Sequence, residues 1–182
     1  FTNYGQDQLP SFRVYDVCQD AQGFIWMGTL SGLVRYDGTT FKRFRHDANN
    51  SNSLSNTIAN QLLVSSDGTL WVGTRDGGVN RYDLEERFTR YVHNPAQPGT
   101  LSSNEIRALC EHRTQQEPTS SPVVWIGTAG GLNKLTVRDN SVRRFRHRVG
   151  DNNSLCNDTV NAIVTDSSGL LWVGTNKGLN VF

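Results

Sequence analysis

An all-β repeat fold, a propeller of about four blades with four antiparallel strands each, is what this 182-residue sequence predicts. Three observations carry it. The phrase Trp-x-Gly-Thr occurs four times, at Trp26–Thr29, Trp71–Thr74, Trp125–Thr128 and Trp172–Thr175, with tryptophans 45, 54 and 47 residues apart. A period of that size is one supersecondary unit repeated. Each copy also resolves into short apolar runs separated by Gly, Asp and Ser turn chemistry. The polar connectors between copies are long enough to cross from the rim of one blade to the inner edge of the next. They fit a propeller better than a stacked solenoid of hairpins.

The first strand of each unit is seen in Val14–Gln19 and Val160–Thr165. It ends in a tight-turn signal at Asp20–Gly23, Ser66–Gly68 or Asp166–Gly169, where Asp and Ser bond downstream backbone and Gly supplies positive φ. The tryptophan strand follows. In Leu70–Thr74 apolar groups fall on both faces, as expected of a strand covered on both sides. Gly73 beside the indole implies close approach of another backbone. A glycine turn opens the third strand, Gly32–Asp37 or Gly78–Asp83. The fourth carries aromatic or apolar residues three apart (Phe41 and Phe44, Phe88 and Tyr91, Val142 and Phe145) among cations such as Lys42, Arg43, Arg90, Arg143, Arg144 and Arg146. Cations on an outer strand discourage edge pairing.

These boundaries place blades at about residues 12–46, 57–93, 104–148 and 159–182, all within one propeller region. The nine extra residues of the long period fall near Glu111–Pro122 and read as a surface loop. The fourth copy stops after its third strand. Phe1-Thr2-Asn3-Tyr4 has the aromatic spacing of the missing outer strand and is expected to supply it, unless that strand is absent. The chain opens at Phe1 without a methionine, as a processed product or excised fragment would.

Composition narrows function. A net charge of +1 gives no drive toward nucleic acid or an anionic membrane, and no apolar run approaches the roughly 20 residues of a spanning helix. Cys18, Leu63, Cys110 and Val164 align, so the two thiols occupy an aliphatic slot, and no disulfide framework is expected of the three cysteines. His46, His93 and His147 recur at one position; in separate blades they would point apart, which suits strand-end capping rather than a metal site. Asp37 and Asp83 lie in separate blades and in turns, as turn formers rather than a carboxylate pair. The recurring Thr suits strand pairing rather than nucleophilic attack. No catalytic residue, metal site or cofactor is assigned.

What varies between copies is the turn between the second and third strands: Leu30-Ser31, Arg75-Asp76-Gly77, Ala129-Gly130 and Asn176-Lys177. It should share a face with the connectors. Arg75, Asp76, Asn176 and Lys177 are the ligand-face candidates.

The run from Asp20 to Gly38, Asp-x-x-Gly-Phe-Ile-Trp-x-Gly-Thr-x-x-Gly-Leu-x-Arg-Tyr-Asp-Gly, resembles the two-component regulator propeller repeat. The connector Asn52–Ser55 is similar to that family too, and Leu9-Pro10-Ser11 to the start of its ectodomains. The resemblance implies the periplasmic sensor region of a bacterial transmembrane signalling protein. Output would lie in absent domains, a histidine kinase or a diguanylate cyclase, and the membrane would be met only through absent segments. Family ectodomains carry more blades, so these repeats are expected to be part of a larger propeller sensor. The implied function is non-catalytic recognition of an extracellular small molecule or glycan. Other blades or a second copy could pair at open strand edges, and no nucleic-acid partner is expected. The alternatives are a propeller enzyme, such as a lyase or glycosidase, and a structural protein-interaction module.

Overall fold

The computed structural model describes residues 4, 9, 11, 13–83, 85–112 and 122–182. Residues 1–3, which hold most of the proposed closing strand, lie outside these, as do Pro10 and most of the inserted loop. Fifteen strands and no helix occur among the described residues. They form four antiparallel sheets in strict sequence order, the arrangement of propeller blades. The first holds β1 (Val14–Gln19), β2 (Ile25–Thr29), β3 (Gly32–Tyr36) and β4 (Phe41–Phe44). The second holds β5 (Ala59–Val64), β6 (Leu70–Thr74), β7 (Val79–Tyr82) and β8 (Phe88–Tyr91). The third holds β9 (Ile106–His112), β10 (Val123–Thr128), β11 (Gly131–Thr136) and β12 (Ser141–Phe145). The last has three strands, β13 (Val160–Thr165), β14 (Leu171–Thr175) and β15 (Gly178–Val181).

Two compact units divide the chain, residues 1–90 and 91–182. In the first, the facing sides of sheets one and two enclose Trp26, Leu33, Phe44, Ala59, Leu70, Val72 and Phe88, plugged by Leu54 from the connector. The second unit repeats the plan with Trp125, Leu132, Val160, Leu171 and Val173, plugged by Leu155. Tyr82 stands edge-on to Trp26 at 5.0 Å, and Phe182 lies 6.2 Å from Trp125. Both cores therefore rest on aligned residues.

The close approach of backbone expected at the strand-two glycine is present at Gly28, and at Gly127 a side chain takes its place. A Cβ on Gly28 would stand 3.0 Å from the Ala59 carbonyl oxygen, and one on Gly127 would stand 2.7 Å from the Val160 side chain. Gly32 has a different task. Its φ of +120° opens the third strand, and a Cβ there would lie 2.3 Å from the Phe44 carbonyl oxygen.

Tyr4, the one described member of the proposed closing strand, packs against the first sheet. Its ring lies 5.5 Å from both Tyr36 and Phe41, with a 3.0 Å hydroxyl–hydroxyl bond to Tyr36.

Candidate functional site

The repeated residues build the frame. Thr29, Thr74, Thr128 and Thr175 each donate their hydroxyl to the carbonyl of the glycine that opens the next strand, at 2.8–2.9 Å, closing the turn. Three indoles are braced from the preceding turn: Trp26 Nε1 donates to Asp20 at 2.6 Å, Trp71 to Ser65 at 3.1 Å and Trp172 to Asp166 at 2.7 Å. In the third repeat His112 takes the acceptor's place, and Trp125 Nε1 is buried without a partner among the described residues. Across the ladder, Arg35, Arg81 and Lys134 lie over the tryptophan rings at 5.7–6.0 Å, a cation–π pair in three blades.

Connectors are fastened by groups far away in sequence. His46, His93 and His147 each donate Nδ1–H to the carbonyl of the buried connector leucine, Leu54, Leu101 or Leu155, at 2.5–2.8 Å. Arg90 spreads its guanidinium over the Ser53 and Asn50 carbonyls at 2.8–3.0 Å, and Arg144 does the same to Thr100 and Gln97. These fourth-strand cations thus satisfy connector carbonyls, a task beyond guarding an edge. Sequence reasoning missed a further brace, the asparagine of strand three. Asn80 accepts from the Ser55 amide at 2.9 Å and donates to the Ser55 hydroxyl and the Val72 carbonyl; Asn133 repeats this on Ser102 and Ile126. The recurrence of Asn at 80, 133 and 180 was the available signal.

The candidates Arg75 and Asp76 are exposed in the β6–β7 turn, and Asn176 and Lys177 in the β14–β15 turn. The first pair belongs to the first unit and the second pair to the second. In every blade the leading amide of this turn donates to the connector, Leu30 to Arg13, Arg75 to Ile58, Ala129 to Glu105 and Asn176 to Thr159, at 3.1 Å. Turn and connector thus share one end of each blade. At that end each inner strand also has a bulge, at Tyr15, Asn60, Arg107 and Asn161. A bulge re-aims one side chain out of the ladder, and here its identity varies between blades. Sequence reasoning did not find these positions, because a bulge is visible only in the register.

A cleft of about 720 Å³ opens at the other end of the first unit, lined by Asp20, Phe24, Arg35, Asp67, Arg81, Tyr82, Asp83 and Arg87 among others. Most of its charge is already engaged. Arg35 sits 4.6 Å over the Phe24 ring and 3.8 Å from Glu86, which also pairs with Lys42. Asp83 accepts from the Glu85 and Arg87 amides and from Arg87 Nε; the Arg87 amide bond leads in holding its carboxyl below the usual range. Burial pushes the Tyr82 phenol up, and Glu86 adds to it. Among the described residues no three His, Cys, Asp or Glu side chains are grouped to hold a metal ion.

A family model described as two component regulator propeller matches residues 9–31, 53–76 and 154–177. Three of the four repeats therefore match the two component regulator propeller model. The matched segments lie in the first, second and fourth repeats; the third differs by its insertion and by His112 at the indole-acceptor position. A 49-residue stretch, 27% of the chain, is 43% identical to Histidine kinase P4 of Formosa agariphila and covers 4% of that protein. Two extracellular domains from Bacteroides thetaiotaomicron proteins classed as hybrid two component systems share the fold. One superposes with TM-score 0.74 at 22% identity, over 95% of this chain and 22% of its own; the other with 0.57 at 25%, over 100% and 30%. A streptogramin B lyase also superposes, with TM-score 0.63 at 17% identity, over 96% of this chain and 55% of that enzyme. The chain thus spans less than a third of the two signalling structures and a small fraction of the kinase.

Proposed function

We propose that these repeats form a non-catalytic recognition module in the extracytoplasmic, periplasmic part of a bacterial transmembrane signalling protein. The ligand is a small molecule or glycan, read within a unit at the turn end of its blades, by Arg75 and Asp76 in the first or by Asn176 and Lys177 in the second. The observation that carries this is the contrast at that end. Thr, Gly, His, Arg and Asn braces recur to hold turn and connector in one frame, while the turn residues and the bulged residues change from blade to blade. A rigid scaffold with variable side chains is how loops carry recognition. Binding then biases the packing of the module and passes its free energy to kinase or cyclase domains elsewhere in the longer protein. The outer edge of β15, which pairs only with β14 among the described residues, is a further place for another blade or a second copy to pair.

The test is a thermal-shift screen of the purified chain against small metabolites and oligosaccharides. A ligand at about 100 times its Kd stabilises by about 2.7 kcal/mol, enough for a clear rise in Tm. Alanine at Arg75, Asp76, Asn176 and Lys177 together should abolish the rise. An unchanged rise in that variant would remove the assignment, and turnover of a hit, seen as a new product by mass spectrometry, would favour a propeller lyase or glycosidase.

A further inference from the structure

Two of the bulged residues meet. In the second unit β9 and β13 run in adjacent blades, and Arg107 Nη1 donates to Asn161 Oδ1 at 3.1 Å. Asn161 in turn donates its Nδ2 to Asn176 Oδ1 at 2.7 Å, joining two inner strands to a turn residue already singled out for its variability. The guanidinium is only partly satisfied. Its Nη2 pairs with Glu105 at 2.7 Å, but Nε is buried with no acceptor. Nε and Nη2 form one edge of the guanidinium fork, an edge that fits the two oxygens of a single carboxylate. Glu105 occupies half of it. Next to Asn176, Lys177 is exposed, and its ammonium has no partner among the described residues.

We propose that Arg107, Asn161 and Asn176 form a binding site for an organic carboxylate, which displaces Glu105 and engages Nε and Nη2 together. Asn161 holds the far side of the guanidinium so that this edge faces the ligand. Asn176 offers its free Nδ2 as a second donor, and Lys177 adds positive charge at the rim. The bulges are what make this geometry: in a regular ladder neither Arg107 nor Asn161 would leave the sheet to meet the other. The site deepens the turn-face reading of the second unit and rests on it, yet it fails separately, since its readout is local to Arg107.

The experiment is a titration of the full chain followed by the Arg107 Nε–H resonance, assigned through Arg107→Lys. Succinate and galacturonate are the carboxylate probes, with galactose and inorganic phosphate as comparisons. Both carboxylates should shift Nε–H saturably, galactose should not, and phosphate should act at least tenfold more weakly. A shift with galacturonate at tenfold lower concentration than succinate would place an acidic sugar there; the reverse would place a simple organic acid. Glu105→Gln, which removes the competing carboxylate without touching the fork, should tighten binding at least threefold, and Arg107→Lys should abolish saturable binding. An Nε–H signal unmoved by either carboxylate, an equal response to phosphate, or unchanged affinity in Glu105→Gln would each overturn the proposal. The Glu105→Gln arm decides the matter even if Arg107→Lys does not fold.

Discussion

At the scale of single residues, the frame depends on a few polar side chains with no solvent to fall back on. Asn80 is fully buried and bonds at both ends of its amide. Asn80→Ala strands the Ser55 amide and removes the side-chain bond to the Val72 carbonyl, so it should cost about 1–3 kcal/mol in chemical denaturation. Val34, which stands at the same place in the first blade, shows that the position also accepts an apolar residue where no such bonds are made. Cys18 is a second case. Burial first, then the Asp16 and Asp20 carboxylates, push its thiol up to about 12. At pH 8 it should alkylate at least tenfold more slowly than a free thiol of ordinary reactivity, followed by mass spectrometry of the labelled peptide.

At the scale of strands and turns, the spacing between sheets is set by missing side chains. Gly28→Ala places a methyl against the Ala59 carbonyl oxygen, which belongs to strand β5 and cannot swing aside as a side chain would, and should destabilise by about 1–3 kcal/mol. The aligned Gly174 is the control. Its added Cβ would meet the nearest atom, Ala162 Cβ, at 3.6 Å, so Gly174→Ala should change the denaturation midpoint little. The strands, the hairpin turns and this close approach were legible in the sequence because they rest on local chemistry: Gly and Asp at a turn, apolar groups on both faces, a glycine beside an indole. What was not legible is long-range. Arg90 reads as edge protection until its carbonyl partners, 37 and 40 residues away, are seen. The bulges at Arg107 and Asn161 depend on register, which no single strand encodes. Hence Asn176 could be named from the variability of its turn, but not the asparagine and arginine to which it is joined.

At the scale of the whole chain, aspartates at hairpin turns in all four blades make acid stability a distributed property. Hydrogen bonds from Thr40 hold Asp37 down to about 2, and those from Ser168 and the Trp172 indole hold Asp166 down to about 2. The Arg87 amide lowers Asp83 and the Ser141 amide lowers Asp139; at Asp67 burial opposes the shift, but bonds from Ser65 and Thr69 outweigh it. A carboxyl with a depressed folded pKa is protonated more readily in the unfolded chain. Its stabilisation is therefore complete above the unfolded value of about 4 and is lost as pH falls toward about 2. The denaturation midpoint should stay flat from pH 7 to about 5 and then fall steeply between pH 4 and 2. Asp166→Asn keeps the shape of the turn while removing one titrating group, so it should be less stable than the parent at pH 7, and the gap should narrow by pH 2. Parallel curves for the two proteins across that range would show that the turn aspartates do not set the acid limit.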